Sequence, residues 1–157
     1  MLWALVRACL ARRLSVSDAV LALVAAGLTD PDWRARMTAV LAVGRLRLAK
    51  LAVAANRIEV PGTDVGLKDD ERRALLALRD IAPLLAAGQS ADSARPVHPD
   101  PEVARKRAEF AARVTAAIEG TSWPPPSHPA YVLRALAEPD KVRSTAPPHW
   151  RGWLTPD

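Results

Sequence analysis

Residues 30–55, DPDWRARMTAVLAVGRLRLAKLAVAA, form the longest helical pattern in this chain and indicate its fold class. Asp30 is a good N-cap because its carboxylate can accept a free backbone N–H of the first turn, and Pro31 needs no donor at the next position. At about 100° per residue, one stripe of the segment is apolar. Its members are Met37, Val40, Leu41, Gly44, Leu48 and Leu51. We therefore predict one continuous helix with a core-facing stripe.

Gly44 lies on this apolar stripe, where glycine is an unfavourable residue. In a helix interior it costs about 1 kcal/mol relative to alanine. Its place on the buried side predicts the close approach of a neighbouring helix. A slightly weaker helix without such a contact is the alternative interpretation.

Three basic residues align on the opposite side of the predicted helix. Arg36, Arg47 and Lys50 fall close together in helical projection. We call these three residues the basic ridge and predict that they bind a partner.

The positive charge of the chain is concentrated in its first part. The formal net charge is +5, and residues 1–60 hold nine Lys and Arg against four Asp and Glu, whereas residues 61–157 hold thirteen of each. This distribution favours an acidic protein or a nucleic acid as a partner of the N-terminal half. A high isoelectric point is also common in arginine-rich chains that have no such partner.

The composition predicts an all-α protein of about five helices, in an antiparallel, HEAT-like or bundle arrangement. Alanine and leucine are abundant, and no alternating pattern predicts a strand, except possibly at residues 57–60. The remaining helices are predicted at residues 2–13, 18–26, 68–87 and 101–119. The helix at 18–26 is expected to have Ser15 or Ser17 as its N-cap and to end at Gly27. The helix at 101–119 is expected to begin with the Asp100-Pro101 cap. We expect residues 1–120 to form one helical domain, with a flexible loop at about 89–99.

Residues 121–157 form a Pro/Trp-rich extension, for which we predict extended backbone and one short helix. Trp150, Arg151 and Trp153 are candidate partner-binding residues, since Trp and Arg are enriched at the centres of protein interfaces. The alternative is that the extension packs over the chain's own helices.

No pattern in the sequence indicates catalysis or a cofactor. His98, His128 and His149 all neighbour prolines and lack the short spacing of metal ligands. Cys9 is the only cysteine, which excludes an internal disulfide and fits a reducing cytoplasm. No run of apolar residues is long enough to predict a transmembrane helix. We therefore expect a cytoplasmic non-enzyme with no cofactor and no metal, for which a small-molecule substrate is unlikely.

Residues 17–53 resemble a HEAT-type repeat. The resemblance is carried by the sequence LTDPDWRAR at 28–36, followed by Ala39, Leu41, Gly44 and Leu46. It implies a scaffold that binds protein or nucleic acid along a helical face and has no chemistry of its own. The same segment is similar to helical regions that accompany formylglycine-generating-enzyme-like domains in bacterial proteins, which implies an accessory module.

Together these observations predict a bacterial accessory or adaptor subunit that binds another protein through the basic ridge and the aromatic extension. A nucleic-acid-binding module that uses the basic N-terminal half is the main alternative. An accessory module of a formylglycine-generating-enzyme-like protein is a further one.

Overall fold

The computed structural model describes residues 15–90 and 98–119. These residues contain five α-helices and no strand, so the predicted all-α class is confirmed. The helices are α1 (Asp18–Leu28), α2 (Trp33–Arg45), α3 (Ala52–Asn56), α4 (Asp69–Ala86) and α5 (Pro101–Glu119), with 3-10 turns at Ala49–Leu51 and Thr63–Val65. The helix predicted at 2–13 and the whole extension at 121–157 lie outside the described residues, as does most of the loop predicted at 89–99.

Helix α2 lies at the centre of the described fold and packs against α1, α4 and α5. Six consecutive residues, from Ala39 to Gly44, are buried. A run of this kind means that the helix is covered on all sides, whereas the sequence predicted one buried stripe. The most deeply buried large side chains around it include Val24 of α1, Leu75 of α4 and Ile118 of α5.

Helix α2 ends at Arg45, so the prediction of one helix through residue 55 is wrong. The backbone N–H of Leu48 donates to the carbonyl of Val43 at 3.0 Å, and that of Arg47 donates to Gly44 at 3.3 Å. This pair of bonds is the Schellman arrangement, which requires a left-handed residue just after the helix. Arg47 supplies it with φ 51°. Glycine is the usual residue here, and an arginine gave no signal of a helix end.

The start of α2 also differs from the prediction. Asp32 is the N-cap, and its Oδ1 accepts from the backbone N–H of Arg34 at 2.9 Å. Asp30 lies two residues earlier, and its Oδ1 accepts a hydrogen bond from the backbone N–H of Asp32 at 2.8 Å. The two aspartates therefore act in sequence: the first closes a turn and the second caps the helix.

The predicted ends of α1, α4 and α5 agree with the structure to within a residue, apart from the C-terminal end of α1. The Ser17 hydroxyl caps α1, but this helix continues through Gly27 to Leu28. Gly88 follows the end of α4 with φ 74°, next to the predicted end of this helix at residue 87. The Asp100 carboxylate accepts from the backbone N–H of Glu102 at 2.8 Å and caps α5. Gly27 is not required as a stop because Thr29 forms the C-cap of α1 instead.

The predicted close approach at Gly44 is confirmed. A Cβ atom at this position would lie 2.8 Å from Cγ2 of Ile118 and 3.0 Å from Cβ of Ala82. Both distances are shorter than ordinary carbon contacts, which lie near about 3.5–4.0 Å. The missing side chain therefore allows α4 and α5 to contact the backbone of α2 at one point.

We predict that Gly44→Ala destabilises the protein. The added methyl group gains helix propensity of about 1 kcal/mol but overpacks the contact with Ala82 and Ile118, so we expect a net loss of about 1–2 kcal/mol in the free energy of unfolding. Urea unfolding followed by circular dichroism measures this loss. In an Ile118→Ala background the penalty should shrink, because the closest atom has been removed. An equal penalty in both backgrounds would contradict the contact.

Candidate functional site

The structure separates the three residues of the basic ridge. Their predicted alignment required one continuous helix, which the turn at Arg47 interrupts. Arg36 lies on α2, Arg47 follows the end of that helix, and Lys50 lies in the 3-10 turn. The ridge is therefore not formed as a helical surface, and each side chain has its own surroundings. Their role in partner binding stays a prediction.

The guanidinium group of Arg36 holds two loops together. Its Nη1 donates to the carbonyl oxygens of Asp30 at 2.8 Å and Pro31 at 2.9 Å, and its Nη2 donates to the carbonyl of Glu59 at 3.4 Å. These bonds join the turn between α1 and α2 to the loop after α3. Since the side chain already makes three bonds within the protein, it contributes to the fold at this position.

Arg47 joins the C-terminal ends of three helices. Its backbone ends α2, its Nη1 donates to the carbonyl of Leu85 near the end of α4 at 3.0 Å, and its Nη2 lies 3.2 Å from Oε1 of Glu119 at the end of α5. A cation is favourable beside the free carbonyl groups at a helix C-terminus. The left-handed backbone at Arg47 thus places its side chain between the ends of α4 and α5.

Two further arginines of the N-terminal half, Arg34 and Arg45, also interact with other groups of the protein. The guanidinium of Arg34 lies 5.0 Å from the ring centre of Trp33, and its Nη1 lies 3.7 Å from Oδ1 of Asp32. Burial lowers the pKa of Arg45 to about 10, so this side chain remains charged at neutral pH. Among the described residues before 50, the positive charge is thus largely used in contacts within the protein.

Lys50 belongs to a different surface, which lies on the outer side of α3 and the 3-10 turn before it. Lys50, Val53, Ala54 and Arg57 follow the spacing i, i+3, i+4 and i+7, which places them on one helical face. All four are exposed, and 64% of Val53 is accessible to solvent. We call these four residues the outer face. On the opposite side Ala55 is buried against the core.

The outer face carries two cations on either side of an apolar side chain. Within residues 15–90 and 98–119, neither Lys50 nor Arg57 makes a side-chain hydrogen bond or an ion pair. Their Cα positions are separated by seven residues of helical backbone, or about 10–12 Å. The pattern can contact a segment that carries negative charge and one apolar side chain.

The predicted basic ridge included Lys50 but not Val53, Ala54 and Arg57. It grouped Lys50 with Arg36 and Arg47, and Arg57 was assigned to a possible strand at 57–60, where the structure has a turn and loop. The spacing of the four residues was visible in the sequence. The four residues form a separate exposed surface because a new helical segment begins after Leu48.

A cleft of about 670 Å³ lies between the C-terminal halves of α4 and α5. Leu85 and Gly88 line it from α4 and the residues that follow, and Ala112, Thr115 and Ala116 line it from α5. Arg47 and Glu119 lie at its edge. The ion pair between them contributes the only charged groups among the described lining residues.

The described residues provide no set of side chains with evident catalytic geometry. Nδ1 of His98 accepts from the backbone N–H of Asp100 at 3.1 Å, so this histidine supports the turn before α5. No group of three or more His, Cys, Asp or Glu residues suited to a metal occurs in the part of the chain that the structure describes. His128 and His149, and the candidate residues Trp150, Arg151 and Trp153, lie outside that part.

The basic run at residues 105–107 is a solvated helix face. Nη1 of Arg105 pairs with Glu109 and Nζ of Lys106 lies 2.9 Å from Glu102, each pair four residues apart. Arg107 is exposed. Surface pairs of this kind contribute about 0.3–0.5 kcal/mol each, so they define the surface of α5 more than its stability.

No protein-family model matches this chain, and no curated protein and no solved structure is significantly similar to it. The resemblances to a HEAT-type repeat and to helical regions beside formylglycine-generating-enzyme-like domains therefore stay predictions. None of the described helices combines the length and the apolar composition that a membrane crossing requires.

We predict that glycine at position 47 is better tolerated than alanine. Both Arg47→Gly and Arg47→Ala remove the bonds to Leu85 and Glu119, but only alanine keeps a Cβ in left-handed backbone. We expect the glycine variant to be more stable by about 1 kcal/mol. Chemical unfolding of the two variants measures the difference. As a control, the same pair of substitutions at Lys50 should favour alanine, and a preference for alanine at position 47 would contradict the left-handed turn.

Proposed function

We propose that this chain is a non-enzymatic adaptor that binds another protein through the outer face. The observation that carries the proposal is the exposure of Val53 between Lys50 and Arg57, two cations that have no partner in the described part of the chain. Arg36 and Arg47 are left out of the proposed interface, because their guanidinium groups already bond to carbonyl oxygens within the protein.

The chemistry of the outer face favours a protein over a nucleic acid. An exposed valine gains free energy when another apolar side chain covers it, at about 25 cal/mol per Å², whereas a phosphate backbone offers it little. Nucleic-acid affinity at physiological salt depends on several neutralised phosphates, and each needs its own cation. The outer face supplies two. Arg34, Arg36 and Arg47 are held by contacts within the protein.

The partner that fits this face is a segment with two acidic residues and an apolar residue between them. A helix matches the spacing of Lys50 and Arg57 if its own acids are seven residues apart. Charge complementarity of this kind raises the association rate and fixes the orientation, while the apolar contact slows dissociation. The proposal therefore predicts binding that weakens with salt but is not abolished by it.

Two predictions from the sequence complete the proposal. Trp150, Arg151 and Trp153 form a second contact with the partner, because aromatic and arginine side chains are frequent at the centres of interfaces. The resemblance of residues 17–53 to a HEAT-type repeat supports a scaffold that binds along a helical face. A bacterial cytoplasmic setting, and an accessory role beside a formylglycine-generating-enzyme-like protein, belong to the same proposal.

Reversing both charges of the outer face should prevent partner capture. We expect full-length chain carrying Lys50→Glu and Arg57→Glu to lose at least about tenfold in capture, since repulsion replaces attraction at two sites and 1.4 kcal/mol corresponds to a factor of ten. A photo-crosslinking residue at position 53 identifies the partner in an extract of the source cells. The matched control is Arg107→Glu, with the crosslinker at position 107, an exposed basic site on α5.

The outcomes of this experiment separate protein from nucleic acid. The proposal is supported if one protein crosslinks at position 53 but not at 107 and is lost on charge reversal. Equal capture by the reversed variant contradicts it. Crosslinking to DNA or RNA, with an affinity that falls steeply with salt, would instead support the nucleic-acid alternative.

We also predict that deletion of residues 144–157 abolishes partner capture in a pull-down and leaves the helical circular dichroism signal unchanged. The reason is that the deletion removes Trp150, Arg151 and Trp153 but none of the described helices. The pull-down measures capture of the protein that crosslinks to position 53. Undiminished capture would show that the extension is not a second contact.

A further inference from the structure

The cleft between α4 and α5 has room for an additional side chain. The part of it on α5 is formed by Ala112, Thr115 and Ala116, which are small, and Gly88 opens the opposite side. Its volume of about 670 Å³ lies within the range of pockets that hold a bound organic molecule, about 300–1,000 Å³. A large, flat side chain is therefore an occupant of suitable size.

An uncharged occupant fits the cleft without displacing an ion pair. Arg47 and Glu119 pair with each other at 3.2 Å, and the other described lining residues are neutral. A charged occupant would have to compete with this pair or lose water without compensation. An aromatic side chain carried by a neutral segment meets both requirements.

The chain itself supplies such a segment at the edge of the cleft. Glu119 lines the cleft and is the last described residue, and thirty-eight residues follow it. The first fourteen of them, GTSWPPPSHPAYVL at 120–133, include no Asp, Glu, Lys or Arg. Charged residues begin again at Arg134. The segment nearest to the neutral cleft is thus itself neutral.

Trp123 is the aromatic residue of this segment that is nearest in sequence to the cleft. Trp123 follows Glu119 by four residues, which span at most about 14 Å. The wall of the cleft from Glu119 back to Ala112 is about 10 Å long along the helix axis. Gly120 stands where glycine commonly reverses the chain after a helix. Tyr131 is separated from this point by three consecutive prolines, which favour extended backbone.

We propose that Trp123 of this chain occupies the cleft, with its indole ring over Ala112, Thr115 and Ala116. The contact anchors the start of the C-terminal extension against the ends of α4 and α5. It covers small apolar side chains that are otherwise exposed, and it fixes the point from which the rest of the extension leaves the helical domain. This inference is independent of the proposed partner binding.

Methyl NMR of the full-length chain tests the proposal without any partner. With ¹³C-labelled alanine methyl groups, Ala112 and Ala116 should be shifted upfield by the indole ring and should show nuclear Overhauser contacts to Trp123. Trp123→Ala should remove the upfield shift, Trp123→Phe should retain part of it, and the matched control Trp150→Ala should leave it unchanged. Circular dichroism verifies that each variant remains helical, and the Overhauser contacts of the wild-type chain need no variant.

Each alternative occupant gives a different result. If the methyl signals respond to Trp150→Ala or Trp153→Ala but not to Trp123→Ala, a later part of the extension fills the cleft and the proposal is wrong. If they respond only to substitutions within residues 91–97, the connection between α4 and α5 fills it and the proposal is equally wrong. Signals that respond to none of these changes would show that no side chain of the extension covers the cleft, which would also contradict the proposal.

Discussion

The described fold depends on the contact between the backbone of α2 at Gly44 and the side chains of Ala82 and Ile118. Because one residue lacks a side chain, two helices can approach a third at the same point. The buried run around it, from Ala39 to Gly44, has no polar side chain and requires cover on every side. Close packing at this point supplies part of that cover, since protein interiors leave few gaps. The positions of α4 and α5 follow from it.

Arg47 links this core to the surfaces that carry the functional proposals. Its left-handed backbone ends α2, so the chain changes direction and residues 49–57 form a separate helical segment. Lys50 and Arg57 thereby come to lie on an exposed face. The side chain of Arg47 reaches the ends of α4 and α5, where the edge of the cleft lies. Arg47 therefore lies between the outer face, which its backbone precedes, and the cleft, which its side chain lines.

The arginines of this chain differ in what they do, although the sequence presents them as one basic region. Arg36 and Arg47 donate to backbone carbonyl oxygens at a helix end and in loops. Burial lowers the pKa of Arg45 without removing its charge at neutral pH. The cations of the outer face make no such contacts within the described residues. Net charge therefore indicates where to search for a partner-binding surface, but contacts decide which side chains are available for it.

Local sequence patterns predicted the helical class and the cap at Asp100, and they offered Ser17 as one of two caps and the close contact at Gly44 as one of two interpretations. These features depend on local hydrogen bonding and on the size of one residue, so short patterns reveal them. The end of α2 at Arg45, the separation of the basic ridge and the exposure of the outer face follow from how the helices pack together. Arg47 ends α2 in left-handed backbone, and its side chain contacts Leu85 and Glu119, which are distant in sequence. Local propensity carries no record of such contacts.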